Sequence, residues 1–187
     1  GGGSVSVCPV DPSTGALGVS AACATSGAGF NLPGFNLPYG IAVSGGYAYV
    51  VNANGNSVSV CPVDPSTGAL GVSAACATSG AGFNQPRGIA VSGGYAYVTN
   101  GGGAGGVGSS VSLCQVSGSP PSLSSCATSG SGFATPRGIA VSGGYAYVAN
   151  AGGSSVSVCQ VSGSPPSLSS CATSGSGFNN PVGIAVT

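Results

Sequence analysis

The chain has 187 residues, of which two are Lys or Arg, two are Asp or Glu and none is His, so the formal net charge is zero. With only Arg87, Arg137, Asp11 and Asp64 charged, no basic stripe can neutralise phosphates and no cationic cluster can dock on anionic lipid, which excludes nucleic acid as a partner. The hydrophobic fraction of 42% is carried largely by Ala and Val, and no run reaches the ~18 apolar residues of a membrane span, so no membrane insertion is expected.

Ser4 to Cys8 reads as the first strand. The turn Asp11-Pro-Ser-Thr-Gly15 follows, and a second strand runs through Cys23 to Thr25. Gly29-Phe-Asn-Leu-Pro33 is repeated at once as Gly34-Phe-Asn-Leu-Pro38. This is a loop expansion, tolerated because the entropy of loop closure grows slowly with length. Gly40-Ile-Ala-Val43 then opens a pattern that returns at Gly88, Gly138 and Gly183, a period of about 45–50 residues. Such a period marks a repeat array, in which each unit buries its faces against its neighbours.

The unit from Pro86 to Thr135 shows the pattern in full. Gly88–Val91 is strand one, Gly93-Gly94 a tight turn, and Tyr95–Thr99 strand two, closed by Asn100. A glycine-rich insert spans Gly101–Gly108. Strand three is Ser110–Cys114, and strand four runs near Leu123–Ser129. Gly, Pro, Asn and Ser punctuate every junction, and no window holds a helical period for long. Ile89 and Val91 share a face opposite Ala90, and Val58 and Val60 share a face opposite Ser59 and Cys61. Each sheet therefore has a bulky and a small side, which suits sheets that interlock face to face.

The eight Cys form one pair per repeat: Cys8 with Cys23, Cys61 with Cys76, Cys114 with Cys126, and Cys159 with Cys171. Each pair flanks a hairpin turn, which puts the two thiols side by side and within disulfide reach. Zinc is a poor alternative, since there is no His and no closely spaced Cys pair. Each bridge closes a short loop, worth about 3 kcal/mol. Four bridges point to an oxidising setting, extracellular or at the cell surface. The chain does not begin with Met and shows no signal-like stretch, so it is expected to be processed or a slice of something longer.

Four-stranded units of this length, stacked radially, describe a β-propeller. Pro86-Arg-Gly-Ile-Ala-Val-Ser-Gly-Gly-Tyr-Ala-Tyr-Val-Thr-Asn100 resembles the YVTN family of bacterial β-propeller repeats, with the eponymous tetrapeptide at Tyr97–Asn100. The other copies vary it as Tyr49-Val-Val-Asn52 and Tyr147-Val-Ala-Asn150. The resemblance covers essentially the whole chain. It implies an all-β, propeller-like array of four-stranded antiparallel blades, about four in number, with one disulfide per blade. The expected limits are 4–38 (the outer strands of a partial blade), 39–85, 86–135 and 136–180, with 181–187 as the inner strand of the blade split between the termini. The family hosts surface-layer, secreted and lactonase-like proteins, so blade architecture alone leaves activity open.

Arg87 and Arg137 fill one repeat position, taken elsewhere by Tyr39 and Val182. Tyr39, Arg87 and Arg137 are the candidate ligand-facing residues, with carbohydrate as a candidate ligand. Asp11 and Asp64 sit in identical turns, where Asp caps local N–H groups. One Asp per turn is too few for calcium. Tyr47, Tyr49, Tyr95, Tyr97, Tyr145 and Tyr147 fit packing between sheets better than a sugar platform. No His and no converging carboxylate pair is present, so the chain is expected not to be an enzyme and to need no cofactor or metal. The leading expectation is a secreted structural subunit of a fibre or surface layer, partnered by other copies of itself. Ser4, Val5, Val7, Ile184 and Val186 would form the inter-subunit strand. A secreted binding module is the alternative, and a lactonase-like enzyme the third reading.

Overall fold

The paired glycines between strands one and two dictate the first element of each unit. Gly45 and Gly46 have φ of 58° and 78°, and Gly93–Gly94 and Gly143–Gly144 repeat this closely. Two successive positive φ values make the hairpin turn whose twist matches that of its strands. The computed structural model describes residues 5–18, 23–26, 37–71, 75–102, 109–175 and 177–187. Ser4, the duplicated Gly-Phe-Asn-Leu segment before Leu37, and most of the glycine-rich insert lie outside these residues.

The chain starts with β1 (Val5–Val7) and β2 (Ala24–Ser26), an antiparallel pair. Three four-stranded antiparallel sheets follow in chain order. Blade one holds β3 (Pro38–Ser44), β4 (Tyr47–Asn52), β5 (Ser57–Pro62) and β6 (Ala77–Ser79). Blade two holds β7 (Pro86–Ser92), β8 (Tyr95–Asn100), β9 (Ser110–Ser117) and β10 (Ser122–Ser129). Blade three holds β11 (Pro136–Ser142), β12 (Tyr145–Asn150), β13 (Ser155–Ser162) and β14 (Ser167–Ser174). The expected all-β, propeller-like array is what forms. All four expected disulfides are present, each inside its own hairpin.

The alternation read from the sequence sets the packing. The bulky face of blade one (Tyr49, Val51, Val58, Val60) meets the Ile89, Ala96, Val98 and Cys114 face of blade two. Tyr97, Val111 and Leu113 of blade two meet Ile139, Ala146, Val148 and Cys159 of blade three in the same way. Hydroxyls stitch the outer edges: Leu123 N donates to Ser79 Oγ (2.6 Å), and Leu168 N to Ser129 Oγ (2.7 Å). Buried Asn52, Asn100 and Asn150 each donate from Nδ2 to a serine of the neighbouring strand, at 2.8–2.9 Å.

Two segments vary from the common pattern. The fourth strand of blade one shrinks to Ala77–Ser79. Its longer connection, through Asp64–Gly68, instead closes on an isolated bridge between Val63 and Leu70. Residues 181–187, the expected inner strand of the split blade, carry no strand assignment in the single chain. The segment runs beside β11, with Ser142 Oγ donating to Thr187 O (3.3 Å), and no described strand pairs with it.

Candidate functional site: a cationic mouth on the inner strands

The innermost strands come together because each carries a glycine where side chains would collide. A Cβ on Gly40 would lie 2.6 Å from Arg87 O, and one on Gly138 2.8 Å from Val182 O. A Cβ on Gly88 would overlap Arg137 O. Each glycine thus rests against the backbone of the residue that precedes the next glycine. The residues at that position, Tyr39, Arg87, Arg137 and Val182, therefore follow one another around one mouth. They line a single cavity of about 310 Å³ together with the glycines and Ile41, Ile89, Ile139 and Ile184.

The structure thus brings together the three residues singled out as ligand-facing. The Arg87 guanidinium lies over the Tyr39 ring, 4.4 Å from its centroid. That contact orients the cation without neutralising it. The Nε atoms of Arg87 and Arg137 are both buried and have no hydrogen-bond partner among the described residues. No carboxylate lines the cavity. Asp11 and Asp64 are occupied in the connections between outer strands. Asp64 Oδ1 accepts from Ser66 Oγ (2.6 Å), Ser66 N (2.8 Å) and Thr67 N (3.0 Å). The Ser66 hydroxyl, then these backbone donors, hold the Asp64 carboxyl down at about 2, and Asp11 is lowered by the same kind of turn. The capping role expected of both residues is observed. Two arginines on adjacent repeats, lining one cavity that no carboxylate lines, make a candidate site for an anion, because a guanidinium matches carboxylate or phosphate oxygens.

Two residues that shape this mouth escaped notice in the sequence. Thr99 Oγ1 accepts from Gly88 N (2.7 Å) and donates to Arg137 O (2.7 Å). It ties the two arginine-bearing strands together. Gly101 makes room for Arg87, since a Cβ there would sit 2.9 Å from Arg87 Cγ. The signal was available: the equivalents of Thr99 are Val51 and Ala149, and those of Gly101 are Ala53 and Ala151. Among the other residues singled out, Val5 and Val7 pair with β2, and Val5 packs on blade one. Ile184 lies at the mouth, and Val186 follows it in the segment beside β11. Tyr49 and Tyr97 are buried between sheets, as expected of packing residues, whereas Tyr145 is exposed. No group of three or more His, Cys, Asp or Glu side chains that could hold a metal ion occurs among the described residues. No helix among them is long and apolar enough to cross a membrane.

Comparison with known proteins gives the site a context. The family model described as lactonase, 7-bladed β-propeller, matches residues 38–184. A functionally unknown protein from Desulfotomaculum acetoxidans superposes with a TM-score of 0.63 at 21% identity, over 98% of this chain and 54% of that one. A candidate 6-phosphogluconolactonase from Bacteroides uniformis gives 0.62 at 18% identity, over 90% of this chain and 49% of that one. A second such candidate, from Bacteroides fragilis, gives 0.57 at 16%, over 92% and 51%. The chain spans about half the length of these structures, and at these identities they show the fold alone. No curated protein matches the sequence. The β-propeller resemblance stands, but the family matched is that of the lactonases and not specifically the YVTN repeats. The expectation that the chain is not an enzyme is overturned by this match. Counting His and carboxylates tests only for acid–base chemistry and leaves other polar groups uncounted. The four disulfides are compatible with an extracellular location.

Proposed function

Because this chain belongs to the seven-bladed β-propeller lactonase family, we propose that its mouth binds an anionic sugar-acid lactone, such as a phosphorylated gluconolactone, and promotes opening of the ring. One observation carries this reading: two arginines of adjacent repeats, with no carboxylate beside them, line a cavity of about 310 Å³. In a molecule with only two other charged side chains, that is a concentrated positive field. One guanidinium holds the anionic group. The other polarises the lactone carbonyl and stabilises the oxyanion formed when water adds to it. The ring C–O bond then breaks, the ring oxygen takes up a proton, and the new carboxylic acid releases one to solvent. The lining offers no carboxylate or imidazole as general base, so the acceleration rests on positioning and charge. An oxidising extracellular setting is part of the proposal and is supported by the disulfides.

The test is calorimetric titration with 6-phosphogluconate, paired with a pH-indicator assay of 6-phosphogluconolactone opening above the spontaneous rate. Binding and turnover that both fall in Arg87→Ala and Arg137→Ala support the proposal. Binding without turnover removes the hydrolytic half. No binding up to about 10 mM, a limit near −3 kcal/mol, removes the proposal entirely.

A further inference from the structure

We propose that the seam between blades two and three is a second binding site, for a neutral oligosaccharide, with Tyr95 as its stacking platform. Two cavities adjoin there, of about 500 and 360 Å³, and Tyr95, Ser164 and Pro166 line both. Each is larger than the mouth and within the usual range for small-molecule sites. No charged side chain lines either one. That leaves no partner for an ionic ligand and favours a neutral one. A saccharide matches the mixture of surfaces, since its C–H face stacks on an aromatic ring while its rim exchanges hydrogen bonds with hydroxyls and amides.

The seam is built from three features, of which the Tyr–Gln pair and the bulge recur in blade three, while the third, a wall from the following blade, is described for blade two. Tyr95 stands directly across the ladder from Gln115, and its side chain is half-buried against the core between the blades while still lining both cavities, so an amide flanks the ring. Blade one has Pro62 opposite Tyr47 and loses that amide. Blade three keeps the pair as Tyr145 and Gln160, but Tyr145 is exposed and lines neither cavity. Second, the pairing of β9 and β10 shifts between Ser124 and Ala127, and Ser125 adopts φ 50° there. A bulge of this kind redirects side chains, and Ser125 lines the larger cavity with Thr128. Third, the turn of blade three carrying Ser164 to Ser167 forms the opposite wall, held in place by the bond from Leu168 N to Ser129 Oγ.

The chain contains no Trp, so Tyr95→Trp adds a single fluorophore at the platform and keeps a flat ring. Titration with cellotriose and with chitotriose, up to about 20 mM, should give a saturable change in emission. Gln115→Ala or Thr128→Val in that background should weaken it about three- to tenfold, the worth of one hydrogen bond. Arg87→Ala should leave it unchanged, which separates this site from the mouth. Tyr145→Trp should stay silent. If Tyr95→Trp fails to fold, amide shift changes in the unsubstituted chain at residues 95, 115 and 128 serve instead. No saturable response to either sugar, or an equal response from Tyr145→Trp, overturns the proposal.

Discussion

Replacing Thr99 with Val should be more damaging than its surroundings suggest. The residue is fully buried, and two of its repeat equivalents are Val51 and Ala149, so an apolar side chain fits the blade without a clash. What is lost is the oxygen. Gly88 N–H, itself buried, loses the acceptor at 2.7 Å, and Arg137 O loses its donor at 2.7 Å. One buried donor left unsatisfied costs about 1–3 kcal/mol. A loss near 2 kcal/mol lowers the melting temperature of a chain this size by about 4–8 °C. Thermal melts followed by circular dichroism, with disulfides intact, measure it. Thr99→Ser keeps the hydroxyl and should recover most of the loss. Affinity for 6-phosphogluconate should fall with Thr99→Val and return with Thr99→Ser, because the backbone that carries Arg137 is released. A Thr99→Val melt within about 1 °C of the parent would show that water or a shifted strand replaces the hydroxyl, and the argument for a clamp would fail.

Three further outcomes follow from the same geometry. Gly88→Ala should cost about 3 kcal/mol in urea unfolding, because its Cβ would overlap Arg137 O and the strands would have to separate. The Asp64 carboxyl sits at about 2 in the folded chain against an ordinary 3.8, so its stabilising effect is complete above 3.8 and is lost as pH falls through about 2. Melting temperature should therefore decline across that acid window, and less steeply in Asp64→Asn, as a pH series of melts would reveal. Removing one bridge with Cys159→Ser and Cys171→Ser opens a loop of sequence separation 12 and should cost about 3 kcal/mol in denaturant titration.

The repeats made the blades legible. Val-Ser-Val strands, paired glycines and evenly spaced Cys pairs act within a single hairpin, so one unit read correctly describes its copies. The alternation along the strands likewise announced sheets that interlock face to face, while which face meets which is seen only in the packing, as where Tyr97 meets the Ile139 face. Copies that differ in sequence differ in structure: blade one, with the longer connection, has a three-residue fourth strand, against eight residues in blades two and three.

By itself, the sequence determined everything governed by near neighbours: the hairpins, the disulfides, the capped Asp turns and the two-faced sheets. Only the tertiary structure decided what meets across blades. Thr99 reaches Arg137 over a separation of 38 residues, Leu168 reaches Ser129 over 39, and Tyr39 lies beneath Arg87 although one whole unit separates them. The first and last of those contacts depend on how closely glycine lets one inner strand approach the next, a distance set by backbone volume and absent from any pattern along the chain. The mouth and the seam both arise there, between units rather than within them.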